Sequence, residues 1–159
     1  MTQLTKQLSL EPNIEGGYYR QTWEANATVE TAHGQRPLAN SIFYLLTDDS
    51  PIGHFHLNHS DITHFFHKGG PIEYLLVSPS GQLQSVTMGA DFAARQVLSF
   101  TCPGGWWKSS HLSDGTTYGL ISEITVPAFR YEDHQMATPE IFQQLFPDLL
   151  EACQKYILK

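Results

Sequence analysis

Short apolar segments rich in β-branched and aromatic residues recur through most of this 159-residue chain. There are eight of them between residues 41 and 126, each four to nine residues long, and turn-forming Gly, Pro, Asp and Ser separate most of them. They are Ser41–Leu46, His54–Leu57, Ile62–Phe66, Ile72–Val77, Leu83–Met88, Gln96–Phe100, Trp106–Ser109 and Tyr118–Val126. Many short strands at this even spacing indicate a sandwich, barrel or jelly roll. The sequence therefore predicts an all-β fold.

The two ends of the chain have a different character. Thr2–Leu8 can form a short amphipathic helix, and Pro139 and Pro147 are each placed to begin a short helix within residues 138–159. The second of these, about Pro147–Leu158, has one apolar face. That face consists of Leu149, Leu150, Cys153 and Ile157. Without repeats or linkers, residues 1–159 are predicted to be one domain, with a barrel over about residues 16–130.

Composition narrows the function classes. The hydrophobic fraction is 41% and the charged fraction 16%, which is typical of a folded protein. The net charge is −7 and the nine basic residues are scattered, which argues against nucleic-acid binding. No apolar run approaches the ~18 residues of a membrane span. Two cysteines in unlike settings, Cys102 and Cys153, fit a reducing cytoplasm better than a disulfide scaffold.

The residues with the clearest chemical potential are His54 and His56, which are separated by one residue in a predicted strand. Side chains of a regular strand alternate between its faces, so both imidazoles are expected to face one interior. They would then lie within reach of one metal ion or one small ligand. By contrast, His33 and His134 lie in polar segments, where we expect solvent-exposed imidazoles.

The order of histidines and turn residues resembles the two sequence motifs of the cupin superfamily. The first motif is represented by Gly53, His54, His56 and Gly69, and the second by the segment Pro103–Lys108. Further segments resemble a small single-domain branch, cupin domain family five. They are Leu10–Pro12, Glu15–Arg20, Ser41–Leu46, Ser60–Asp61, Met88–Asp91, Pro103–Trp107 and Val126–Phe129. This resemblance implies a jelly-roll β-barrel with short N- and C-terminal helices, and a homodimer.

Two of the four ligand positions that the resemblance implies for a metal have been lost. Ile62 stands where the family has a glutamate, and Lys108 stands where it has a histidine. A metal needs three or four converging ligands, and a lysine ammonium would repel it. One possibility is a rebuilt metal site of His54, His56, His64 and Glu123. The alternative is a cationic pocket of His54, His56 and Lys108 for an anionic or polyhydroxylated molecule.

The sequence leaves three functions open. The first is an isomerase- or epimerase-like enzyme in which His54 or His56 is the general base and Lys108 stabilises negative charge. The second is a ligand-sensing protein without catalysis, and the third a metal-dependent oxygenase or lyase. No cofactor is favoured, although a divalent metal is compatible with the residues. Further candidate ligand-binding residues are Arg20, Tyr44, Trp106 and Tyr118, although Arg20 could equally pair with Glu15 or Asp91.

A homodimer is also expected on physical grounds. The aromatic stretch Tyr18–Trp23 and the apolar face of Pro147–Lys159 exceed what a small barrel can readily cover, and open strand edges need pairing or cover. The predicted partners are therefore a small molecule and a second copy of the chain, with neither nucleic acid nor membrane.

Overall fold

The computed structural model describes residues 3–158. The strands are β1 (Glu11–Pro12), β2 (Tyr18–Glu24), β3 (Thr28–Thr31), β4 (Gly34–Pro37), β5 (Asn40–Thr47), β6 (Ile52–Asn58), β7 (Asp61–Gly69), β8 (Ile72–Val77), β9 (Leu83–Met88), β10 (Ser99–Cys102), β11 (Trp107–Leu112), β12 (Tyr118–Val126) and β13 (His134–Met136). The helices are α1 (Gln3–Gln7), α2 (Pro139–Leu145) and α3 (Leu150–Cys153). Each of the eight predicted runs contains or overlaps a strand, which confirms the all-β prediction.

Two antiparallel sheets form the body of the fold. One has the order β1-β2-β5-β12-β7-β10, the other the order β13-β6-β11-β8-β9, and β3 pairs with β4 in a separate ribbon. A single apolar cluster takes side chains from both sheets, including Tyr44 and Ile121 from the first and Ile72 and Tyr74 from the second. The sheets therefore face each other across a common core, as the jelly-roll prediction requires.

The C-terminal segment packs on the outer face of the second sheet. Thr138 Oγ1 accepts a hydrogen bond from the Ile141 amide and begins α2, as predicted. The predicted helix Pro147–Leu158 is instead broken into 3₁₀ turns at Pro147–Leu149 and Gln154–Tyr156 that flank α3. Its apolar residues pack in a cluster with Phe55, Val77, Trp107 and Phe142. This face is thus covered by the chain itself and does not require a partner.

Two smaller points concern the remaining segments. The predicted N-terminal helix Thr2–Leu8 corresponds to α1, while Thr2 lies outside the described residues. Within residues 3–158, no helix has the length and apolar character needed to cross a membrane.

One irregularity in the second sheet decides the geometry of the site. Lys108 of β11 is opposite His56 of β6, and Ser110 is opposite Gly53. Two steps along β11 therefore match three steps along β6, which is a β-bulge at His54-Phe55. The bulge breaks the alternation of side chains on which the sequence analysis relied.

Candidate functional site

The bulge separates the two histidines of the His-x-His pair. His56 lies opposite the buried Lys108 and faces the interior. Phe55, which follows His54 in the bulge, points to the other side of the sheet and packs against the C-terminal helices. The His54 imidazole hydrogen-bonds to the backbone of Tyr156, on the outside of the sheet, and burial lowers its pKa. The two imidazoles therefore do not share the interior, contrary to the expectation from a strand period of two.

A cavity of about 120 Å³ opens at one end of the space between the sheets. Its walls combine amides, three hydroxyls, two carboxylates, an imidazole and aromatic rings. They are formed by Asn13, Glu15, Tyr19, Gln21, Asn40, Ile42, His56, Asn58, Ile62, Glu123, Thr125, Phe129 and Tyr131. Of the site residues predicted from the sequence, His56 and Glu123 line this cavity.

Behind Glu123, a cation joins the two sheets. Lys108 Nζ lies 2.8 Å from His64 Nε2 and 3.4 Å from Glu123 Oε1, and it can donate to both. Burial lowers the pKa of His64, and the nearby Lys108 lowers it further. Burial alone would raise the pKa of Glu123, but Lys108 and His64 hold it far below its usual value. Within this buried triad of His64, Lys108 and Glu123, the lysine ammonium balances the glutamate carboxylate.

The arrangement of the triad does not fit the metal site suggested by the sequence. Of the four expected ligands, His64 and Glu123 already hold the Lys108 ammonium between the sheets, and His54 is on the outer face. The family's own ligand positions fit no better, because Ile62 and Lys108 cannot serve as metal ligands there. Among the described residues, His56 is the one histidine of either set that lines the cavity, and its Nε2 atom has no hydrogen-bond partner there.

A second cluster, formed by Glu15, His56 and His134, lies at the wall of the cavity. Glu15 Oε2 lies 3.4 Å from His56 Nε2, and Glu15 Oε1 lies 2.9 Å from His134 Nε2. The side chains of His56 and His134 are each 4% exposed. The expectation that His134 is a surface residue is therefore wrong. It lies on β13, directly opposite Asn58 of β6, and so faces inward with the cavity-lining residues.

Glycine holds Glu15 in place. Gly16 has φ of +102°, and a Cβ there would collide with the Ile52 carbonyl, so the loop can lie directly against β6. The His54 amide donates to the Glu15 carbonyl (2.6 Å), and the Tyr44 hydroxyl donates to the Gly16 carbonyl (2.9 Å). Tyr44 thus supports the loop from behind and is not a cavity residue. The paired glycines after Glu15 were the sequence signal for this contact.

The protonation of the cluster follows from its surroundings. His56 Nδ1 lies 2.8 Å from the His54 carbonyl, so it carries the proton and leaves the Nε2 lone pair free. Burial lowers the pKa of His56 to about 4, and Lys108 acts in the same direction while Glu15 opposes it. Burial alone would raise the pKa of Glu15, but His56, His134 and Lys108 together lower it. The cluster at neutral pH therefore contains a carboxylate and a neutral His56.

The other predicted ligand-binding residues lie elsewhere. Arg20 is on the outer face of the first sheet, 5.8 Å from the centre of the Phe43 ring. Tyr118 packs beside an outer cluster that contains Leu45 and Leu120. Trp106 lines a narrow recess that it shares with His56 and Lys108, next to the main cavity.

These features define a jelly-roll protein with a polar cavity at one end of the barrel and an altered set of motif histidines. The chain belongs to the Cupin superfamily (DUF985), whose sequence profile matches residues 2–137. It is 36% identical over 148 residues to the uncharacterized protein YML079W of Saccharomyces cerevisiae, covering 84% of this chain and 73% of that protein.

Solved structures agree with this assignment. A hypothetical protein from Leishmania major has a TM-score of 0.91 at 27% identity, covering 98% of this chain and 97% of that chain. Protein SO0799 from Shewanella oneidensis has a TM-score of 0.88, also at 27% identity, covering 98% and 95%. The fold alone is shared with Bacillus subtilis oxalate decarboxylase (TM-score 0.57, 13% identity, 91% of this chain and 36% of that chain). The same holds for a dTDP sugar isomerase from Desulfovibrio desulfuricans (TM-score 0.54, 15% identity, 76% and 83%).

Proposed function

We propose that the cavity binds a small, uncharged metabolite rich in hydroxyl groups, such as a sugar or a hydroxy ketone. The observation that carries this proposal is a pair of buried acceptors without donors. Neither His56 Nε2 nor Asn58 Oδ1 has a hydrogen-bond partner among residues 3–158, and both residues line the cavity. An unsatisfied buried polar atom costs about 1–3 kcal/mol. A ligand that donates hydrogen bonds at both atoms removes that cost.

The charges around the cavity argue for a neutral ligand over an anionic one. Glu15 and Glu123 both line it, and the nearby Lys108 is already engaged by His64 and Glu123. An anion would approach two carboxylates without gaining a free cation. Three aromatic rings, of Tyr19, Phe129 and Tyr131, offer apolar surface for the C–H face of a sugar-like molecule.

A second candidate function is proton transfer on such a ligand. It is favoured by the neutral state of His56, a cavity-lining residue whose Nε2 atom has no hydrogen-bond partner among residues 3–158. His56 would remove a proton from a carbon next to a carbonyl, as in an isomerase. Lys108 would act indirectly, by holding Glu123 in position. Since the cupin fold accommodates unrelated reactions, this assignment rests on the site and not on the fold.

Two further expectations belong to the same proposal. The protein acts in a reducing compartment such as the cytoplasm, since Cys102 and Cys153 are both buried free thiols. It acts as a homodimer, with the outer face of the first sheet as the contact surface. Trp23 and Phe65 are 52% and 41% exposed on that face.

Saturation-transfer NMR tests the ligand class. The panel contains monosaccharides, polyols and hydroxy ketones, together with carboxylates and phosphates of matched size. We expect the wild type to transfer saturation to the neutral hydroxylated compounds, and Asn58→Ala to lose this transfer. Asn26→Ala, which changes an exposed asparagine, is the control and should bind as the wild type does. Proton transfer is followed in D₂O as deuterium incorporation that His56→Gln abolishes. Binding restricted to the anions, or undiminished in Asn58→Ala, would refute the proposed ligand class.

A further inference from the structure

We propose that Glu15, His56 and His134 form a binding site for a divalent transition-metal ion. This site shares only His56 with the ligand positions implied by the family motifs. Among residues 3–158, these three are the group of His, Cys, Asp and Glu side chains whose ligand atoms converge, all lying within 4.8 Å of one another. The site opens on the cavity of the proposed function but does not depend on which ligand that cavity binds.

The spacing of the ligand atoms fits a metal ion. Glu15 Oε2 lies 3.4 Å from His56 Nε2, and Glu15 Oε1 lies 2.9 Å from His134 Nε2. With bonds of about 2.1 Å, adjacent ligands are about 3.4 Å apart in tetrahedral and about 3.0 Å apart in octahedral geometry. Each imidazole nitrogen thus lies at about the separation of adjacent ligands from one Glu15 oxygen, with a different oxygen facing each ring.

The lack of hydrogen bonds at two buried imidazole nitrogens provides a second observation. Both Nε2 atoms are buried and lack an aligned hydrogen bond to any described residue, although His134 Nε2 is only 2.9 Å from the Glu15 carboxylate. Two buried imidazole nitrogens without an aligned hydrogen bond, both next to one carboxylate, form a set of ligand atoms that a metal ion can satisfy. His56 is already in the required tautomer, because its Nδ1 donates to the His54 carbonyl at 2.8 Å.

The charge balance also favours a dication. Lys108 pairs with Glu123, whereas the Glu15 carboxylate lies against the two imidazoles and contacts no lysine or arginine among residues 3–158. Two imidazoles and one carboxylate suit Zn²⁺, Fe²⁺, Co²⁺ and Ni²⁺ better than Mg²⁺ or Ca²⁺. Three protein ligands leave coordination positions open toward the cavity, where a hydroxyl or carbonyl oxygen of a ligand can bind.

Metal binding and general-base catalysis both need the Nε2 lone pair of His56, so they cannot occur together. A metal on Nε2 of His56 prevents that atom from accepting either a proton or a hydrogen bond from a ligand, so a hydroxyl bound to the metal-loaded protein would contact the ion and Asn58 instead. The experiment below therefore also decides which of the two uses applies. The ligand-binding test stands apart from it, because saturation transfer can be measured on the metal-free protein.

The test is a titration of chelator-treated, tag-free protein with Co²⁺, followed by visible absorption and by the melting temperature. We expect one equivalent to bind, with d–d bands typical of nitrogen and oxygen ligands and a melting temperature that rises with Co²⁺ concentration. His134→Gln and Glu15→Gln should weaken binding by at least about 100-fold, more than the loss of an outer-shell contact. His54→Gln and His33→Gln are matched controls and should bind as the wild type does.

Three results would overturn the proposal: no one-equivalent binding of Co²⁺ or Zn²⁺ by the wild type, undiminished binding by a folded His134→Gln, or loss of binding in His54→Gln. Circular dichroism establishes that each variant is folded. If the ligand variants unfold, histidine ¹H–¹⁵N spectra of the wild type decide the question. Zn²⁺ must shift the ring nitrogens of His56 and His134 and leave those of His54 unchanged; any other pattern contradicts the site.

Discussion

Lys108 Nζ lies 2.8 Å from His64 Nε2, and this contact connects the two sheets through their core. His64 is completely buried and its ring stacks on Phe100 at 4.5 Å. Lys108 occupies the position where the family motif has a metal-binding histidine. A lysine whose ammonium is held by His64 and Glu123 therefore takes the sequence position of a motif ligand.

We expect Lys108→Met to be strongly destabilising, by about 3–5 kcal/mol, because it leaves Glu123 as a buried charge without a counter-ion. Urea denaturation measures the effect. The double variant Lys108→Met/Glu123→Gln should recover much of the loss, since both charges are then absent. The control is Lys68→Met, at an exposed lysine, which should change the free energy of unfolding by less than about 0.5 kcal/mol.

The pH dependence of stability should reflect His64. Burial and Lys108 lower the pKa of His64 in the folded state below its usual 6.5, so the unfolded chain binds the proton more readily. The stabilisation is complete above about pH 6.5 and is lost as the pH falls toward the folded-state pKa. Urea midpoints of metal-free protein at pH 7.5 and 5.5 should fall less in His64→Gln than in the wild type. Equal falls would mean that His64 does not contribute.

How much the sequence could reveal differs between the fold and the site. Runs of β-branched and aromatic residues are local signals, and the strands that they predict were confirmed. Thr138 and Pro139 are also a local signal, and the start of α2 that they predict was confirmed. The orientation of His54 depended on the β6–β11 register, which involves a strand some fifty residues away and cannot be deduced from a period of two. His134 lies on a three-residue edge strand that only pairing with β6 defines.

Gly16 and Gly115 provide a matched pair of substitutions. Both have positive φ, +102° and +79°, but an added Cβ collides with the Ile52 carbonyl at Gly16 and meets nothing within 4 Å at Gly115. Gly115→Ala should cost about 1 kcal/mol for backbone conformation alone. Gly16→Ala should cost about 3 kcal/mol and, by moving Glu15, weaken Co²⁺ binding as well. If Gly16→Ala and Gly115→Ala had the same effect on the free energy of unfolding and on Co²⁺ affinity, the Glu15 loop would not depend on close contact with β6.

The proposed dimer contact can be tested at Trp23 and Phe65, which lie on the outer face of the first sheet. We expect the wild type to be a dimer by light scattering at micromolar concentration, since exposed aromatic residues on a flat sheet face favour self-association. Trp23→Ser/Phe65→Ser should shift it to a monomer. Phe92→Ser, at an exposed aromatic residue outside the sheets, is the control and should remain dimeric. A monomeric wild type would contradict the dimer altogether.

Arg36 should position His134 from outside the cavity. Its guanidinium binds both carboxylate oxygens of Asp133, at 2.7 and 2.9 Å, and Asp133 directly precedes His134 at the start of β13. Arg36→Lys keeps the charge but cannot reproduce the two parallel hydrogen bonds. We expect Co²⁺ binding to weaken by no more than about tenfold, the lower limit for loss of a hydrogen bond to a metal ligand, because this pair acts on His134 only through the backbone. The control is Arg130→Lys, which alters a more exposed pair with Glu24 and should bind Co²⁺ as the wild type does. Wild-type affinity in Arg36→Lys would mean that pairing with β6 alone is enough to orient His134.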